Sequence, residues 1–308
     1  MHQELGDSLE HVCAACRDEV VFDADAMARL VAALRSGADF DPAVFARYYE
    51  LVFAIEDEDL ATAAHLFDEL ARARPTSSAL EVLTLGGAEL GEESARYLQM
   101  MNADPSLDLG FLPPSPQVAA DFRARLDQGL ALLDSALPEL AGEFRAIVRQ
   151  IVIAGGDPTK TFQFDGGSHY QLWGALFLNG SFHPDPLAVV EVLAHESAHS
   201  LLFGFCTDEP LVENEDGELY ASPLRVDLRP MDGIYHATYV SARMHWAMSR
   251  MAEQRSLSDE DRMRALAAAQ ADAANFAAGY GVVAEHGRLT GLGADLMAGA
   301  KAYMDAVA

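Results

Sequence analysis

Residues 185–205, DPLAVVEVLAHESAHSLLFGF, constrain this chain more than any other stretch. Asp185 suits a helix N-cap, Pro186 suits the first helical position, and Gly204 offers a stop. Leu187, Val189, Val190, Val192, Leu193, Ala194, Ala198, Leu201 and Leu202 make the helix apolar nearly all round, the pattern of a buried helix. Within it, the HESAH run places His195 and His199 one turn apart on one face, with Glu196 beside them. Two imidazoles at that spacing can grip one transition-metal ion, and Glu196 is close enough to reach a metal-bound water. Polar groups in a buried helix need partners. A metal is the simplest partner, and histidines satisfied inside a core are the alternative.

A catalytic metal needs a further protein ligand. The extended zinc motif would have its third His at position 205, where this chain has Phe205. The other common pattern takes a downstream Glu. Glu213, Glu215 and Glu218 are available, but they lie in an acidic run that reads as a solvated loop. The strongest candidate is His236, on the apolar helix opened by Pro230 and Asp232. It follows a compact cluster of Tyr220, Ser222, Pro223, Arg225, Arg229 and Gly233. Arginines at a loop-to-helix junction suit bidentate binding of a carboxylate, or pair with the acidic loop.

The rest of the chain supports a mainly α fold with a small antiparallel β-sheet, an α+β chain around a zincin-like HExxH helix core with helical N-terminal and C-terminal parts. Residues 1–103 show helical periodicity at 25–34, 42–55 and 60–70 and form a helical N-terminal region. The prolines and glycine of 104–116 mark a loop or linker. Residues 117–308 form the metal-binding catalytic region. There, 117–136 and an element from 137 to 152 read as amphipathic, and TFQF and QLWGALFL read as strands turned by Gly166-Gly167. Helices are also predicted over 231–251, 257–286 and 294–306.

The formal charge of −27, from 48 acidic and 21 basic side chains, excludes a nucleic-acid surface and disfavours anionic membranes. No run approaches a membrane span and the N-terminus lacks a signal pattern, so a cytoplasmic location is expected. Three cysteines are too few for a disulfide scaffold, and Cys13 and Cys16 read as reduced, packed thiols rather than a metal motif.

Three blocks carry a family resemblance: ELAGEFRAIVRQIVIAG (139–155), GALFLNG with HPDPLAVVEVLAHESAHSLL (within 174–202), and YASPLRVDLRPMDGIYHATYVSARM (220–244). The chain resembles the HExxH-containing peptide-modifying proteins found beside ribosomally made peptide natural products. Leu224 stands where family members often have Trp, and the N-terminal third carries no matching motif. The resemblance implies an oxidoreductase, an Fe(II)- and 2-oxoglutarate-dependent dioxygenase that uses O2 to β-hydroxylate a side chain of a precursor peptide. It implies metal ligands His195, His199 and His236. It also implies a cationic anchor for the keto acid at Arg225 or Arg229, with Ser222 assisting, and a supporting role for Glu196 beside the metal. A zinc metallopeptidase with Zn(II) and Glu196 as general base is the competing reading, and a non-catalytic peptide binder with a stabilising metal is a third.

Overall fold

A computed structural model describes residues 1–77, 79–103, 110–160, 163–222 and 227–307. Two compact units emerge, and neither is a continuous stretch of chain. One comprises 1–120 with 148–180, the other 121–147 with 181–308.

The first unit begins with α1 (His2–Ala15), α2 (Ala24–Arg35), α3 (Ala43–Glu56) and α4 (Leu60–Ala71). Their apolar faces meet in a core that includes Leu9, Leu34, Phe45, Leu51 and Phe67. Local capping chemistry sets the starts. Asp23 caps α2 by accepting from Ala26 N at 2.9 Å, and Asp59 caps α4 from Thr62 N at 3.0 Å. There follow β1 (Glu81–Thr84), α5 (Glu93–Met101) and β2 (Phe111–Leu112), then α6 (Pro116–Ala136), within which the chain passes to the second unit. It returns after α7 (Pro138–Ile147) as β3 (Gln150–Gly156), β4 (Gly166–Ser168) and β5 (Ala175–Asn179).

These strands form a sheet in the order β1-β3-β5-β4, with β2 also on β3. The expected small sheet is therefore present but mixed. β1–β3 and β3–β5 pair in parallel, while β4 and β2 pair antiparallel. Ile151, Val152 and Ile153 lie between two strands and are fully buried, which is why they form an unbroken apolar run without strand alternation. That run belongs to β3, so the element expected over 137–152 is a helix followed by a strand. Gly166 and Gly167 lie in a strand instead of a turn, and Tyr170–Leu172 is a 3-10 turn. Thr161 and Phe162 of the TFQF segment lie outside the described residues.

The second unit holds the rest of α6, then α7, α8 (Pro186–Phe205), the hairpin β6 (Leu219–Tyr220) and β7 (Arg229–Pro230), α9 (Met231–Ala252), α10 (Asp259–His286) and α11 (Gly291–Val307). Helix α9 packs against α8, α10 and α11. On this side of α9 the core includes Leu202, Leu211, Met231, Tyr235, Phe276 and Met297. The β6–β7 hairpin pairs Tyr220 with Arg229 and delivers the chain directly into α9. Among the described residues, no helix is long and apolar enough to cross a membrane.

Candidate metal centre

Helix α8 starts where its sequence says it should. Asp185 accepts from Ala188 N at 3.1 Å, Pro186 opens the helix, and Arg264 from α10 reaches the Asp185 carboxylate at 2.6 Å. Leu187, Val189, Val190, Val192 and Leu193 are buried, which fixes the rotation of the helix and so the direction of the HESAH face. On α9, His236 is only 8% exposed, and Phe203 from α8 lies against its ring at a centroid distance of 5.4 Å.

The three histidines named from the sequence come together. His195 Nε2 stands 3.2 Å from His199 Nε2, and His199 Nδ1 stands 3.1 Å from His236 Nδ1. The His199 and His236 rings are stacked, 15° from parallel with centroids 5.3 Å apart. Nitrogens bound to one ion at about 2.1 Å stand roughly 3.0–3.4 Å apart at octahedral to tetrahedral angles, so His195 and His199 fit a shared ion through their Nε2 atoms. His236 meets His199 on the opposite nitrogen. The three rings therefore touch in a row, and among the described residues no three donors already converge as a metal-holding group. The donor set nonetheless suits a metal. Burial, with His195 and His236 alongside, holds the pKa of His199 well below its usual value, and burial also lowers that of His236. Neutral imidazoles are the form that ligates.

The neighbours arrange these rings. His195 Nδ1 lies 3.1 Å from Met244 Sδ; with the proton on Nδ1 donated to sulfur, the Nε2 lone pair faces His199. Glu196 is 3% exposed, with Oε1 3.8 Å from His195 Nε2. Asp232, one turn before His236, places Oδ1 3.9 Å from its Nε2. Met244, Phe203 and Asp232 were not anticipated. Their signal was helical spacing: Met244 is eight residues after His236, and Phe203 four after His199.

Arg225 lies outside the described residues. Arg229 sits on β7 and donates to Asp227 Oδ2 at 3.3 Å. Its side chain covers Gly233, where a Cβ would stand 3.7 Å from Arg229 Cβ, one turn ahead of His236. Ser222 follows β6 on the opposite arm of the same hairpin. Of the downstream glutamates, Glu218 is committed elsewhere. It accepts from Arg288 at 2.9 Å and Tyr220 at 2.7 Å, and these bonds, the arginine's first, bring its pKa down to about 2. Cys13 and Cys16 are free thiols, and burial raises the Cys13 pKa to about 11, which keeps it unreactive.

No protein-family model matches the chain, and no curated protein matches it.

Proposed function

We propose that His195, His199 and His236 hold Fe(II), and that the protein β-hydroxylates a side chain of a ribosomally made precursor peptide with 2-oxoglutarate and O2. The observation that carries the reading is the approach of His195 Nε2 and His199 Nε2 to 3.2 Å, the spacing of two ligands on one ion, with His236 from the second helix stacked against His199. The resemblance of residues 139–155, 174–202 and 220–244 to the peptide-modifying family supports iron and oxidation over zinc and hydrolysis. When bound, iron with its keto acid and dioxygen supplies the oxidant that replaces a C–H bond by C–OH.

The protein's own residues do the rest. Met244 Sδ, 3.1 Å from His195 Nδ1, is placed to accept from that nitrogen and so to leave Nε2 as the ligating atom, and Phe203 packs against the His236 ring. Arg229 has five N–H donors and among the described residues spends one on Asp227, so its fork retains capacity for the distal carboxylate of the keto acid. Arg225 is the other anchor, and Ser222 adds a hydroxyl. Glu196, buried beside His195, orients a ligand or water. The zinc-peptidase reading rests on the same Glu196 Oε1, 3.8 Å from His195 Nε2, acting as a general base. The protein is read as cytoplasmic.

Metal binding tests the site itself. After dialysis against Fe(II) without oxygen, and separately against Zn(II), the wild-type protein should retain stoichiometric metal by elemental analysis. His195→Ala and His199→Ala should each lose it while keeping wild-type helical circular dichroism. A wild-type protein that retains no metal, or variants that retain as much, would remove the centre.

A further inference from the structure

Further along α9 from His236, α9 and α11 line a half-open cavity of about 360 Å³, in the range that takes one side chain or a small ligand. Tyr239, Trp246 and Tyr303 form three of its walls. Tyr303 is held by the bond between its hydroxyl and His245 Nδ1 at 2.8 Å. Two charges border the space, Arg243 and Asp295. Arg243 is already hydrogen-bonded to Glu143 of α7 and is neutralised by it. Asp295 is exposed and has no ion-pair or hydrogen-bond partner among the described residues. Gly299 also borders the cavity, and a Cβ placed there would meet nothing within 4 Å.

Three aromatic rings with one unpartnered carboxylate suit a cation, because the ring faces and the carboxylate both carry negative potential. An anion would meet Asp295 and find Arg243 already engaged. The Trp246 indole accepts such a charge elsewhere on its surface. Arg250, which does not line the cavity, lies 4.0 Å over its ring centroid. The chain as a whole carries −27, which draws basic partners. We propose that this cavity receives a basic side chain, arginine or lysine, of the substrate peptide. The identity of the carrier as a peptide rests on the function proposed above; the preference for a cation does not.

Position along α9 then sets a register. Residues 239–246 lie about 5–15 Å along the helix axis from His236, and an extended peptide rises about 3.3 Å per residue. For a peptide lying extended along α9, the basic residue would stand two to four positions from the one presented at the histidines.

Tryptophan fluorescence of the metal-free protein, titrated with Nα-acetyl-arginine amide, reads the cavity through Trp246. Saturable binding is expected, with the norleucine and glutamate analogues at least about tenfold weaker. Gly299→Leu fills the cavity from an open helical position and should weaken arginine binding about tenfold or more; Asp295→Asn should weaken it severalfold. Absence of arginine binding, equal binding in Gly299→Leu, or equal binding of the norleucine or glutamate analogue would overturn the proposal. The titration contains no metal and no keto acid, so it fails or succeeds independently of the hydroxylase reading.

Discussion

Asp272 shows how an individual residue can work against the fold. It lies in the buried stripe of α10 with Ala265, Ala269 and Phe276, is 4% exposed, and its Oδ2 meets no donor among the described residues. Burial, reinforced by the nearby charge of Glu191, raises its pKa from 3.8 to about 7. A raised carboxyl pKa means that the folded state prefers the protonated acid. The stability this contributes is complete below about pH 4 and is lost as the pH rises through 7, a difference of at most roughly 4 kcal/mol once the group is ionised. Asp272→Asn should therefore raise the melting temperature at pH 8.5 and change it little at pH 5. An equal change at both pH values would show that ionisation of Asp272 is not what the fold resists. At this scale the sequence was most informative about the centre. HESAH alone announces two imidazoles on one helix face, and His236 was found from its place after the arginine cluster. Which nitrogen His236 presents to His199 was not legible, because ring orientation depends on α8–α9 packing and on contacts such as Phe203.

Between elements, the centre depends on how closely α6 approaches α8. Gly129 of α6 sits against the first turns of α8, where an added Cβ would lie 2.3 Å from Val189 Cγ1 and 2.6 Å from Val189 Cβ. Val189 is β-branched and fully buried, so it cannot swing aside. Gly129→Ala should destabilise the protein by about 1–3 kcal/mol despite the better helix propensity of alanine, as measured by denaturant unfolding. A stabilised variant would mean that α6 and α8 do not meet this tightly. The helices themselves were largely legible, since capping and periodicity are local: Asp185-Pro186 opens α8, and the periodic runs 42–55 and 60–70 are α3 and α4. The strands were not. Glu81–Thr84 is a strand because it pairs with Gln150–Ile153, and that run is a strand because Ala175–Leu178 flanks it. A short apolar segment has no period that separates a fully buried parallel strand from a helix, and its partners lie far away in sequence.

Over the whole molecule, sequence order and spatial grouping diverge. The sheet segments at 148–180 join the N-terminal helices in one unit, while 121–147 joins the HESAH helix in the other. Both units carry residues of the blocks 139–155, 174–202 and 220–244 on which the proposed function rests, the sheet strands β3 and β5 in one and the histidines in the other. The charge of −27 belongs to the entire chain and suits the basic peptide proposed above better than a nucleic acid. The most direct test of the proposed hydroxylation is mass spectrometry of a candidate precursor peptide after incubation with Fe(II), 2-oxoglutarate and O2. The peptide should gain the mass of one oxygen atom, with the gain abolished in His236→Ala. A peptide left unoxidised under these conditions, yet cleaved with Zn(II) alone, would contradict it.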